Sequence, residues 1–156
     1  MKKFSFSYVI IPLITFGVAL LGQHFTTWGM AWYATLQLPS FTPPGVAIGI
    51  IWTVIFILTA LSAILFRTRS EHDKKFGIAI SLFVDNAILN VLRSWLFFTK
   101  HMILASVVEM ILLLVVTVML IIAVWPRTKL ASYLLMPYAL RLMIATFYAI
   151  RIYLLN

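Results

Sequence analysis

Cysteine is absent from the 156 residues, and only four acidic residues occur, Glu71, Asp73, Asp85 and Glu109. Without thiols there is no disulfide, no thiolate metal site and no cysteine nucleophile. The three histidines, His24, His72 and His101, are dispersed among connections and form no metal-ligand cluster. No glycine-rich phosphate loop and no Ser/His/Asp arrangement is present. Charged residues of all kinds make up 10% of the chain, against about 25% in average globular proteins. What fills their place is apolar: 63% of residues are hydrophobic and the mean hydropathy is +1.08. That leaves too little polar surface to cover a water-soluble globule. At about 20 apolar residues per crossing, roughly five helices would use almost the whole chain. No room remains for a soluble catalytic domain.

The net charge is +8 and the pI near 10.1, values that in a soluble protein would suggest nucleic acid. Here the basic residues lie in short gaps between apolar runs, where positive charge sets membrane orientation. Nucleic acid is therefore not an expected partner, whereas membrane lipid is. Lys2-Lys3 followed by an apolar run imitates a signal peptide. No small-residue cleavage site precedes Gln23-His24, so the run is read as the first spanning helix.

The spanning helices are expected at about 6–22, 45–66, 76–98, 102–125 and 130–155, within a single domain covering 1–156. Backbone groups in lipid must bond internally, which makes each run a helix and the fold class an all-α five-helix membrane bundle. One face carries Lys2, Lys3, Arg67, Arg69, Lys74, Lys75, Arg127 and Lys129; the other has Lys100 with Arg151 close to it. The positive-inside rule places the N-terminus in the cytoplasm and the first connection, 23–44, outside. Trp28, Trp32, Tyr33 and Phe41 in that connection suit an interfacial aromatic belt. Pro39, Pro43 and Pro44 equally suit a structured lid, because they reduce the entropy of ordering it. Composition leaves both readings open.

Asp85, Arg93, Glu109 and Arg141 fall inside predicted crossings. Each costs about 2.5–3.5 kcal/mol on insertion scales, so each should pair or face a wet cavity. Depth counted along the helices makes two ion pairs geometrically feasible, Arg93–Glu109 and Asp85–Arg141. Asn86 and Asn90, four apart, form a neighbouring stripe that Arg93 joins. This constellation reads either as interhelical glue or as a polar cavity for an acidic ligand or for protons. Arginine's planar fork suits carboxylates. Pro137 in the last helix frees a carbonyl and kinks the chain, beside a binding space or merely in a tolerant bundle.

The segment Trp32-Tyr33-Ala34-Thr35-Leu36-Gln37-Leu38-Pro39-Ser40-Phe41-Thr42-Pro43-Pro44 is similar to the W-Y-x-x-L-x-K-P-x-W-x-P-P of the TspO/MBR family. These are the tryptophan-rich sensory proteins related to the translocator protein, or peripheral benzodiazepine receptor. Trp52 follows at the spacing of the family's second-helix tryptophan. Asn90-Val91-Leu92-Arg93-Ser94-Trp95-Leu96-Phe97-Phe98 resembles N-x-x-W-S-x-x-F-F, and Pro137-Tyr138-Ala139-Leu140-Arg141 resembles P-Y-x-x-W, with Ala145 also in place. The resemblance covers nearly the whole chain. It implies a five-helix bundle, commonly a homodimer, with a pocket beneath the first connection that binds a porphyrin, a haem-type tetrapyrrole or a related amphipathic molecule. No cofactor is required on this reading, and the role is that of a bacterial inner-membrane receptor or carrier.

The residues implied for the pocket are Trp32, Pro43, Trp52, Asn86, Asn90, Arg93, Tyr138, Arg141 and Ala145. Two departures fall inside it: Arg93 and Arg141 stand where the family has tryptophan. A guanidinium cannot donate electrons to a porphyrin as an indole can, so light-dependent porphyrin degradation becomes the alternative rather than the leading reading. A third reading is a structural member whose pocket the two ion pairs close. The family's cholesterol motif is not carried over, since its tyrosine and arginine positions hold Ile150 and Leu154.

Overall fold

The computed structural model describes residues 6–156, and over them the chain is five long helices. They are α1 (Ser7–Tyr33), α2 (Gly45–Arg69), α3 (Lys74–Ser94), α4 (Ile103–Val124) and α5 (Lys129–Leu155). All five are long and apolar enough to cross a membrane. Lys2 and Lys3, used above for orientation, lie outside the described residues. α3 runs on into one wide π-helical turn, Trp95–Thr99, in which the amide of Lys100 donates to the carbonyl of Trp95 at 3.0 Å.

The first helix is longer than hydropathy alone suggests. It continues through Gln23–Tyr33, and the first connection shrinks from 23–44 to 34–44. The polar residues that mimic a loop bond within the helix. The hydroxyls of Thr26 and Thr27 donate to the carbonyls of Gly22 and Gln23, at 2.8 and 2.9 Å, and Gln23 donates to Thr27. Such back-bonding satisfies Thr without breaking the helix. Termination waits for a stretch that ends in Pro39, Pro43 and Pro44.

The helices close a ring in the order α1, α2, α5, α4, α3 and back to α1. The ring is not evenly packed. At the end carrying Arg67 and Arg127, one core joins Phe66 of α2, Phe76, Ala79 and Leu82 of α3, Leu120 and Val124 of α4, and Ala131 and Leu135 of α5. Helix α1 contributes nothing to it. Its only buried residues are Ser7 and Gly29, one near each end. The side chain of Arg67 donates to the Ser7 hydroxyl at one end. At the other, Gly29 lies against the π turn so closely that a Cβ there would sit 2.4 Å from the Phe98 carbonyl oxygen.

The two connections at the basic end are tied together. Asp73 caps α3 by accepting from the Phe76 amide at 2.9 Å, and accepts from Arg127 at 2.5 Å; Arg127 also donates to the Glu71 carbonyl. The Phe76 amide first, then the Arg127 guanidinium, hold the Asp73 carboxyl below the usual carboxylate range. A carboxylate with a depressed pKa stabilises the fold above its unfolded pKa, and that contribution is lost as pH falls through the folded value. Asp73→Ala is therefore expected to lower the melting temperature at pH 7, and to leave it unchanged at pH values where Asp73 is already protonated. An equal drop at both pH values would contradict this assignment.

Candidate ligand-binding cavity

Four polar side chains form a buried bridge midway along the bundle. Asn86 and Asn90 belong to the stripe Phe76, Ala79, Leu82, Asn86, Asn90, Ser94 that α3 buries. Asn86 donates to Thr117 of α4 at 2.8 Å, Tyr138 of α5 donates to Asn86 at 3.1 Å, and Asn90 donates to the Tyr138 hydroxyl. The bridge joins α3, α4 and α5 inside an apolar bundle, where polar side chains help hold membrane helices together. Tyr138 and Asn86 act as glue and do not line the cavity beneath the first connection, whereas Asn90 is both glue and part of that wall.

Beyond this bridge, toward the first connection, the ring encloses a cavity of about 610 Å³. That lies within the roughly 300–1,000 Å³ of small-molecule sites. Trp52 of α2, Asn90 and Arg93 of α3, Met110 of α4, and Arg141 and Ala145 of α5 all line it. The guanidinium carbon of Arg93 lies 4.9 Å from the Trp52 ring centroid, and that of Arg141 lies 5.4 Å from it. Two cations share one indole, each contact contributing about 0.5–2 kcal/mol.

Neither predicted ion pair forms. Among the described residues the only carboxylate–cation contact within 4 Å is Asp73–Arg127. Asp85 precedes the buried Asn86 by one residue, so the helical register turns it outward and it is exposed, away from Arg141. Glu109 is buried on α4, 5% exposed, and neither of its oxygens has a hydrogen-bond partner. It attracts Arg93 electrostatically, but Arg93 extends toward Trp52 and the Ser94 hydroxyl, 3.3 Å away. The Arg93 Nε is buried without a partner. The cavity is thus not closed by ion pairs, and it stays electropositive whether or not Glu109 is ionised: two guanidiniums face at most one carboxylate.

Trp32 and Pro43 lie elsewhere. Trp32 stacks on His101 at 4.2 Å and meets the edge of Phe97, clamping α1 to the α3–α4 connection. His101 has φ 56°, a left-handed conformation in which histidine is commoner than most residues. Pro43 is exposed on the first connection, and the cavity wall begins two residues later at Gly45.

Sequence reasoning missed what holds that connection down. Tyr148 of α5 donates to the Thr42 hydroxyl at 3.1 Å and shares a 2.7 Å hydrogen bond with the Tyr33 hydroxyl. Phe41 stacks on Phe147, and Asn156 bonds both the amide and the carbonyl of Gln37, at 2.9 and 3.0 Å. Tyr148 carries no mark in the sequence, because pairings more than a hundred residues apart leave no local signal. Segment 34–44 is a structured cover held down through Gln37, Phe41 and Thr42. Tyr148→Phe removes both of its hydroxyl contacts, each worth about 1 kcal/mol. Amide exchange at 36–43 should then quicken by roughly tenfold, and unchanged protection would show that the cover is held by other contacts.

The five-helix chain has relatives by sequence. The TspO/MBR family model matches residues 8–154. The chain is 34% identical to the tryptophan-rich protein TspO of Bacillus cereus, over 100% of this chain and 99% of that one. It is 32% identical to the tryptophan-rich protein TspO of Archaeoglobus fulgidus, over 94% of each chain. It is also 31% identical to the uncharacterized membrane protein YtaB of Bacillus subtilis, over 100% and 99%. The chain belongs to the TspO/MBR family, as an integral membrane protein with a sensory or transport-type role.

Proposed function

We propose that the protein is a receptor or carrier for an acidic amphipathic molecule, with a porphyrin-type tetrapyrrole as the leading ligand, held in the cavity beneath segment 34–44. The observation that carries this reading is the pair of guanidiniums over Trp52 with no carboxylate in contact. A propionate-bearing macrocycle matches both features: its carboxylates meet Arg93 and Arg141, and its ring lies against the indole of Trp52. Charge-assisted contacts from a planar fork are the strong, directional kind. No histidine lines the cavity, so the ligand is expected to be recognised by its acidic edge and its face. On this reading the basic end faces the cytoplasm of a bacterial cell and the covered cavity faces outward.

The test is a titration of the detergent-purified protein with protoporphyrin beside its dimethyl ester, following tryptophan quenching and the Soret shift. Saturable binding of the acid, at least about tenfold tighter than the ester, is expected from one charge-assisted contact of roughly 1.5 kcal/mol or more. Binding of neither would overturn the reading. The same samples test the enzymatic alternative. With arginine at positions 93 and 141, illumination is expected to bleach the Soret band no faster than with an inert membrane protein in the same detergent.

A further inference from the structure

Behind α1 a second space of about 930 Å³ runs along the bundle toward the basic end. Its walls are mostly apolar side chains of α1, α2 and α3, including Ile11, Ile55, Ala63, Ile80 and Ala87, with Asn86, Asn90 and Tyr138 of the buried bridge also lining it and Arg67, bonded to Ser7, at the basic end. It exists because α1 is pinned near its ends, by Gly29 against Phe98 and by Ser7 to Arg67, and is absent from the core between them. Ile10 and Ile14 on one rim and Val84 and Ile88 on the other are about half exposed, so the groove opens sideways to the lipid. The groove and the arginine cavity share Val18, Phe56 and Asn90 in their walls. Arg93 lies one helical turn beyond Asn90.

We infer that the two spaces together form a seat for a single-chain acidic lipid of the fatty-acid type, its carboxylate at Arg93 and Arg141 and its alkyl chain in the groove behind α1. This rests on the reading of the arginine pair as a carboxylate site and extends it to the ligand's tail. Charge complementarity selects the occupant: on the far side of the shared residues Val18, Phe56 and Asn90 lie two guanidiniums and the unpartnered, buried Arg93 Nε. The length agrees. From Asn90 to Ile80 the α3 wall is ten residues, about 15 Å, which is half of a roughly 30 Å hydrocarbon core. The groove therefore matches the chain of a lipid in one leaflet. A neutral lipid gains nothing over the surrounding bilayer, because lipid tails are as apolar as the groove. The carboxylate confers the selectivity, the groove confers tolerance of a long tail, and entry is lateral from the membrane.

The experiment measures binding of radiolabelled palmitate to the purified protein, with methyl palmitate as the neutral control and protoporphyrin as the reference ligand. Palmitate is expected to bind saturably and methyl palmitate at least about tenfold more weakly. Filling the groove with Ala87→Phe, or from the opposite wall with Ala63→Phe, is expected to weaken palmitate about tenfold while protoporphyrin binding stays at the wild-type level. Retained protoporphyrin binding also shows that each variant is folded. Palmitate binding that survives both variants would overturn the groove as the tail's seat. Equal binding of palmitate and its methyl ester would overturn the carboxylate contact. If palmitate fails to bind while protoporphyrin binds, this inference falls and the proposed function stands; if neither acid binds, both fall.

Discussion

Gly29→Val is expected to lower the melting temperature by roughly 5 °C or more. A Cβ at position 29 would lie 2.4 Å from the carbonyl oxygen, 2.5 Å from the Cβ and 2.7 Å from the Cα of Phe98. Two of those atoms are backbone, so no side-chain rotation relieves the clash and α1 must move off the π turn. Overpacking of this kind costs about 1–3 kcal/mol, and each kcal/mol moves the melting point of a chain this size by about 2–4 °C. The loss should also loosen the cover, because Trp32 and Tyr33 follow within one turn and reach His101 and Tyr148. Gly17→Val on the same helix is the control, since a Cβ there meets nothing within 4 Å. A Gly29 variant that melts with the wild type would show that the close approach is not required. The wide turn itself explains why glycine is needed: its extra residue pushes the Phe98 backbone outward against α1.

The second large effect is on binding. Arg93→Gln with Arg141→Gln removes both cavity cations while keeping side chains that can hydrogen-bond. Charge-assisted contacts contribute about 1.5–3 kcal/mol each, so the double variant should bind protoporphyrin roughly 100-fold more weakly and its dimethyl ester about as before. Arg93→Trp with Arg141→Trp should go further and reverse the preference, favouring neutral aromatic ligands over acids. Unchanged acid-to-ester selectivity in either variant would place the arginines outside the ligand contact. Glu109 makes the comparison informative. Its oxygens have no hydrogen bond and the Arg93 guanidinium is lost in this variant, so nothing remains there that a neutral glutamine of the same size would fail to satisfy. Adding Glu109→Gln to the arginine double variant should therefore change stability little.

Hydropathy located five crossings because lipid forces each apolar run of sufficient length into a helix whatever its neighbours do. It misplaced the end of α1 by eleven residues, between Gly22 and Tyr33, since hydropathy records polarity and not whether that polarity is satisfied locally. Gln23, Thr26 and Thr27 are polar and helical together. The motif residues were equally legible, but their geometry was not. Asn86 and Asn90 stood out as a stripe, whereas Thr117, which accepts the hydrogen bond of Asn86, is one unremarkable threonine in an apolar helix. Depth counting suggested Asp85–Arg141 and Arg93–Glu109 as pairs. Depth is one coordinate, and the azimuth around each helix depends on which stripe the bundle buries.

The sequence by itself determined the solvent, the number and order of the helices, the family, and the placement of two arginines where tryptophans are usual. Each of those follows from composition, run length or local spacing. Only the tertiary structure decided that the arginines share Trp52 instead of pairing with carboxylates, that Trp32 clamps a turn instead of lining the cavity, and that α1 stands off the core to leave a groove. These outcomes depend on which faces five helices turn toward one another, and side-chain azimuth is set by packing across the ring rather than by any residue's neighbours in the chain.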